Sequence, residues 1–224
     1  MLFTQEHEEL RRTVRNFIEK EVNPFVPEWE AAGRFPIHDV FKKMGDLGLL
    51  GVTKPEEYGG MGLGGFEAVL VCEEIARVCP STAMVLMAEL GICTQLLNHY
   101  GTKAQQEKYL PRIAKGEILT AISITEPDAG SATTRITTNA TRTDDGYRLK
   151  GRKAMTSRAG ECGVYMVFTR FNGTPGLDGI GAVLVDEGTP GLSFGKPEEM
   201  MGFRGCPSRE VIFEDCPIGE DDVL

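Results

Sequence analysis

The sequence is poor in the groups from which metal sites and nucleophilic triads are built. Three histidines, His7, His38 and His99, lie scattered over 224 residues. Six cysteines (Cys72, Cys79, Cys93, Cys162, Cys206 and Cys216) form no CxxC pair, so the usual zinc and disulfide spacings are missing and reduced core thiols are expected. No metal site is expected. Positive charge is also short: 24 Lys and Arg face 33 Asp and Glu, a formal charge of −9. That balance, without a basic patch, argues against nucleic acid and anionic membranes as partners. It leaves room for an anionic small ligand held by a few local donors. No apolar run approaches the roughly 18 residues of a membrane span. The opening MLFTQEHEELRRTVRNF is acidic and amphipathic, unlike a secretory signal or an Arg-rich transit peptide. A cytoplasmic location is expected, or the mitochondrial matrix for a mature eukaryotic form.

What is present falls into two halves with different periods. Up to about residue 118 the spacing is helical. Leu10, Val14, Phe17 and Ile18 recur after a capping Thr4, and Asn23-Pro24 ends that helix. A short helix is predicted over Ile37 to Leu47, closed by Gly48. The Gly-rich connector Leu47 to Gly65 lacks both GxGxxG after a strand and GK[ST], so a phosphate cradle is disfavoured there. Phe66 to Val78 reads as a strong helix, and Ser81 as the cap of one running to His99. That helix is apolar nearly all round and should be buried, with Met84 and Met87 read as core filler rather than pocket. Thr102 and Gln105 form a capping box for a helix through Tyr109.

From residue 118 the pattern alternates. ITTNATRT and YRLKGRKAMTS flank Asp144-Asp145-Gly146, a hairpin signal. Val164 to Phe171, Ile180 to Val185 and Arg209 to Glu214 add further strands. The expected fold class is therefore α+β: an all-α domain over 1–118, then a small antiparallel β-barrel or sandwich over 119–224. At the junction the strand-like Ile118 to Ser123 breaks into Thr125-Glu126-Pro127-Asp128-Ala129-Gly130-Ser131. Gly130 permits close backbone approach, while Thr125 and Ser131 offer hydroxyls and amides without net charge. Such a loop suits a flat polar heterocycle or a phosphate. The acids Glu126 and Asp128 invite a catalytic reading, but Glu126 is better read as an anchor of the turn, accepting from backbone amides.

ITEPDAGS, YRLKGRKAMTS and MGFRGCPSREVIFEDCPIGEDDVL resemble, in order, three middle-domain motifs of the acyl-CoA dehydrogenase family of flavoproteins. GLLGVTKPEEYGGMG and YGTKAQQEKYLPRIAKGE resemble that family's helical-domain connector and later helix. The resemblance spans the whole chain but only the first two of the family's three domains. It implies FAD as cofactor, with Ile122, Ser123, Ile124, Thr125, Gly130, Ser131, Ala154, Met155 and Thr156 at its binding positions. Ser131 falls where the cofactor pyrophosphate and the substrate's pantetheine pass. Thr156 falls where the family's W-I-T-N motif sends a threonine hydroxyl to flavin N5; otherwise it is an ordinary strand residue. The family's tryptophan is Ala154 here, and the aspartate that commonly follows the motif serine is Ala132.

The activity implied is oxidation of an acyl-CoA thioester to its trans-2-enoyl form in fatty-acid β-oxidation. An electron-transfer flavoprotein would take the electrons, and the full-length protein would be a homodimer or homotetramer. The catalytic base is expected beyond Leu224, in the family's C-terminal helical domain, so no catalytic residue is named. Without that domain the chain is expected to be inactive and to bind FAD weakly. A flavin oxidase or monooxygenase on the same scaffold, and a non-catalytic partner subunit, are the alternatives.

Overall fold

The computed structural model describes residues 3–224. Met1 and Leu2, the start of the N-terminal stretch read above as unlike a targeting segment, lie outside the described residues. The chain divides into a helical unit (3–99, 106–118 and 199–206) and a sheet unit (100–105, 119–198 and 207–224).

In the helical unit, α1 (Gln5–Glu21) starts at Thr4 with a reciprocal cap made by a histidine. Thr4 N donates to His7 Nδ1 at 2.9 Å and His7 N to Thr4 Oγ1 at 3.4 Å. Its buried stripe is Val14, Phe17 and Ile18. Asn23-Pro24 begins a 3₁₀ turn, as the proline requires. The short α2 (Val26–Ala32) follows, a helix too brief for periodicity to reveal, ended by Gly33 at φ 64°. After α3 (Ile37–Asp46), the Gly-rich connector folds onto itself. Met61 N donates to Gly51 O, Gly62 N to Lys54 O and Leu63 N to Val52 O, at 2.8, 2.8 and 2.9 Å. Those amides are bonded internally and cradle no phosphate. A Cβ on Gly60 would sit 2.1 Å from Lys54 O, so the connector closes this tightly only with glycine there. On α4 (Gly65–Ala76) the buried Glu74 accepts from Arg15 Nε and Nη2, both at 2.7 Å, a bidentate clamp to α1.

The expected single helix over 81–99 is three pieces: α5 (Pro80–Met87), a π-turn (Ala88–Ile92) and α6 (Cys93–Tyr100). Ser81 does not cap it. Pro80 already occupies the first turn, where its missing N–H is harmless, and Cys79 stands at the cap position. Contrary to the expectation from apolar runs, Pro80–Tyr100 is long and apolar enough to cross a membrane by composition; 61% of its most apolar stretch is buried inside the protein, as in a core helix. Thr102 and Gln105 cap α7 (Lys103–Ala114) reciprocally, at 2.8 and 3.2 Å. The helix runs past Tyr109 and contains Pro111.

The sheet unit holds β1 (Thr120–Ser123), β2 (Asn139–Thr143), β3 (Gly146–Ser157), β4 (Val164–Phe171), β5 (Ile180–Asp186), β6 (Leu192–Phe194) and β7 (Ser208–Ile218). They form one sheet in the order β1-β4-β2-β3-β7-β6, with β5 on β4. The expectation of an antiparallel sheet is corrected: β1 and β2 both run parallel to β4, so the sheet is mixed. Alternation reports which face a residue takes, not the direction of its neighbour, so the sequence pattern could not distinguish the two. The hairpin at Asp144-Asp145 forms between β2 and β3. The three-residue β6, set among Gly- and Pro-rich turns, carried too few alternations to be seen.

Candidate functional site

The loop leaving β1 is built around one carboxylate. Glu126 and Ala129 exchange backbone hydrogen bonds at 3.0 and 3.1 Å, a tight turn with Pro127-Asp128 at its tip. The Glu126 side chain turns inward. Its Oε2 accepts from Thr137 N and Thr137 Oγ1 at 2.7 Å each, and its Oε1 from Thr138 N at 2.9 Å and Lys153 Nζ at 2.8 Å. Lys153, fully buried on β3, also donates to Ile124 O at 3.0 Å. Burial alone would raise the Glu126 pKa, but the bonds from Lys153, Thr138 and Thr137 outweigh it and lower it to about 2. Burial likewise lowers the Lys153 pKa, and Glu126 opposes that. A carboxylate so bonded is an anchor for the loop and a poor proton acceptor.

Across from this turn, β3 breaks its register with β7 between Lys153 and Thr156. Met155 takes φ 56° there, with its side chain half exposed. A left-handed, non-glycine residue beside a bulge is a place where backbone strain is held by its surroundings. The bulge meets the loop twice: Ala154 N donates to Thr125 O at 2.8 Å, and the Thr156 hydroxyl lies 3.2 Å from the Ser123 hydroxyl. Ser123 and Thr156 are buried, while Ile122, Ile124, Thr125 and Ala154 are half-buried at the rim. Gly130 and Ser131 are exposed farther along the loop. On β7, directly across from Ser157, the Ser208 hydroxyl is buried without a hydrogen-bond partner.

Sequence reading missed Lys153 and Ser208. For Lys153 a signal existed: it shares strand parity with Leu149, and both are buried, so alternation alone places this lysine on the inner face. Ser208 carried none, because a small hydroxyl residue at a strand start is unremarkable.

The helical unit has a separate feature, a groove of about 940 Å³ between α4 and α5. Leu63, Ala68, Val69, Met84, Met87 and Phe203 are among its lining residues. The reading of Met84 and Met87 as core filler is thereby corrected. The α5 face that carries them opens onto the groove, and Met87 is exposed.

Comparison with known proteins gives the site its context. Residues 4–117 match the model of the acyl-CoA dehydrogenase N-terminal domain, and residues 121–216 that of the middle domain. The chain is 40% identical to an acryloyl-CoA reductase (NADH) of Anaerotignum propionicum, over 99% of its own length and 56% of that protein's. It is 35% identical to a short-chain-specific acyl-CoA dehydrogenase of Clostridium acetobutylicum, over 99% of its length and 58% of the relative's. Its fold is similar, at TM-score 0.91 and 31% identity, to an acyl-CoA dehydrogenase of Bacillus anthracis complexed with FAD, covering 99% of this chain and 38% of that one. The chain thus spans a little over half the length of the two curated relatives. Two consecutive domain matches that together run from residue 4 to residue 216 show that this chain belongs to the acyl-CoA dehydrogenase family.

Proposed function

We propose that the protein is an FAD-dependent oxidoreductase acting on the Cα–Cβ bond of an acyl-CoA thioester, oxidising it to the trans-2-enoyl form. The observation that carries this reading is the junction of β1 and β3, where Thr125 O meets Ala154 N at 2.8 Å and the Ser123 and Thr156 hydroxyls lie 3.2 Å apart. Ile122, Ser123, Ile124, Thr125, Gly130, Ser131, Ala154, Met155 and Thr156 are the residues proposed to hold the cofactor. FAD bound there would supply the hydride acceptor that such an oxidation needs.

The donor set fits that group. It consists of neutral hydroxyls and amides, with the one nearby carboxylate already satisfied by Lys153 and two threonines, and with an unpartnered buried hydroxyl on Ser208. Neutral donors stabilise an electron-rich ring and a pyrophosphate alike. The Ser123 hydroxyl has a positioning role: it accepts from Thr156 Oγ1 at 3.2 Å and so fixes that hydroxyl beside the proposed ring position. Ser131, exposed on the loop, suits the pyrophosphate and the passing thioester arm. Ala154, where the family carries tryptophan, makes this flank of the site small. Glu126 is not the base, because its four hydrogen bonds and lowered pKa remove its basicity, and no other residue here is assigned that role.

The apolar groove in the helical unit is proposed to seat the acyl segment, since its lining is dominated by aliphatic and methionine side chains. An electron-transfer flavoprotein is the proposed acceptor, and the full-length protein is proposed to be a homo-oligomer. The 40% identity to an acryloyl-CoA reductase favours a second reading, the same bond handled in the reducing direction. The test is Thr156→Val in the full-length, FAD-loaded protein, which removes the donor at nearly constant volume. The flavin spectrum should shift and the reduction potential should fall; an unchanged potential contradicts the Thr156 assignment.

A further inference from the structure

The π-turn that splits the 80–100 helix carries a feature the flavin reading does not use. A π-turn inserts one residue into the helical ladder and withdraws carbonyls from their usual partners, and such turns concentrate at functional positions. Here side chains take over those carbonyls. Glu89 O accepts from the Thr94 hydroxyl and from Lys54 Nζ, the latter at 3.3 Å. Leu90 O accepts from the Thr53 hydroxyl at 2.8 Å and from Gln95 Nε2 at 3.3 Å. The second bond of Lys54 is to Leu50 O, one turn back in its own segment.

Lys54 is fully buried. A buried ammonium in an apolar surround is costly unless its donors are placed, and this one is placed on the irregular turn of another element. The turn is also a wall of the groove, because Thr53, Met87, Leu90, Gly91 and Gln95 all line it. The π-turn, its side-chain donors and the groove wall are therefore one structure.

We propose that Lys54 is a positioning residue for that wall: by tying Glu89 O to Leu50 O it keeps the π-turn bulged and so sets how long an acyl chain the groove accepts. This rests on the groove being the acyl seat. The titration of Lys54 supports it. Burial lowers its pKa from 10.5 to about 8, against the pull of the nearby Glu89 and Cys93. Above that pH the amine is neutral and donates more weakly to both carbonyls, so the wall should loosen with rising pH.

The test uses the full-length, FAD-loaded protein and straight-chain acyl-CoA thioesters from butyryl to dodecanoyl. Lys54→Met keeps the apolar stem and removes the donors. The turn should then rewind toward α-helix and the wall retreat. The kcat/KM ratio of octanoyl- to butyryl-CoA should rise about tenfold, the scale on which a hydrophobic pocket discriminates chain length. The change should lie in KM, with kcat for butyryl-CoA little altered. Wild type should show the same drift toward longer chains between pH 7 and pH 9, and Lys54→Met should not. Amide exchange over residues 88–97 reads the turn independently of substrate, and should quicken in the variant. Unchanged exchange together with an unchanged length profile overturns the proposal. Quickened exchange in a protein that shows no chain-length dependence at all overturns the acyl-seat reading instead. If Lys54→Met fails to fold, Thr94→Val, which removes the other side-chain donor to Glu89 O, should give the same shift more weakly; no shift in it counts against the proposal.

Discussion

Two lysines are fully buried, one in each unit, and they differ in what they hold. Lys153 meets a carboxylate, Glu126, and a carbonyl, Ile124 O. Lys54 meets two main-chain carbonyls, Leu50 O and Glu89 O. Burial lowers both pKa values, but only Lys153 has a full negative charge in hydrogen-bond contact. The first is half of an ion pair on which a loop depends. The second is hydrogen-bonded to main-chain carbonyls, with Glu89 and Cys93 pulling on it only from nearby, so its removal should cost less stability than breaking the ion pair while its geometry matters locally.

The largest expected effect breaks the ion pair. Lys153→Met leaves Glu126 buried with an uncompensated charge and should destabilise the fold by about 3–5 kcal/mol, measured by urea denaturation. Lys54→Met, which strands two carbonyls but no charge, should cost less, about 1–3 kcal/mol. Equal losses from the two substitutions would erase the distinction between them.

Next in size is the acid limb. The folded pKa of Glu126 lies below its ordinary 4.5, at about 2. Its contribution is therefore complete above pH 4.5 and is lost as pH falls from there toward 2. Glu126→Gln should start less stable at neutral pH and show a flatter acid slope, by denaturant titration at each pH.

The alkaline limb tests Lys54. With its folded pKa at about 8 and its ordinary value 10.5, the unfolded chain holds more protons between those pH values. Wild type should thus gain stability relative to Lys54→Met as pH rises from 8 to 10.5. A constant difference over that range would mean that Lys54 is not held where burial disfavours its charge.

The smallest effect concerns the thiols. None of the six cysteines is in a disulfide and five are buried; Cys72, half-buried, has its thiol pushed up to about 11 by burial. A thiol reagent should label six sites after denaturation. In the native protein Cys72 alone should react, and slowly, because little thiolate is present. Rapid labelling at several sites would show that the helical core opens readily.

Much of this architecture was readable before any coordinates. Thr4, Asn23-Pro24 and the Thr102–Gln105 box mark helix ends because capping and proline chemistry are local. The Asp144-Asp145-Gly146 hairpin is local in the same way. The departures are non-local. Strand direction around β4 depends on which segments meet in space, and the π-turn depends on Lys54 and Thr53 arriving from another part of the chain. Met84 and Met87 look like core on a helical wheel, and only the position of α4 decides that they line a groove. In the candidate site, the acidic turn at Glu126 could be read as an anchor, but not that its counter-ion would be Lys153.

The most direct measurement mixes the full-length, FAD-loaded protein with excess short-chain acyl-CoA in the absence of oxygen and follows flavin absorbance alongside enoyl-CoA formation. The proposed function predicts that the flavin bleaches with stoichiometric appearance of the enoyl thioester, and that an electron-transfer flavoprotein restores its colour. A flavin that stays oxidised with every acyl-CoA tried, and is not reoxidised by an enoyl-CoA after chemical reduction, would contradict it.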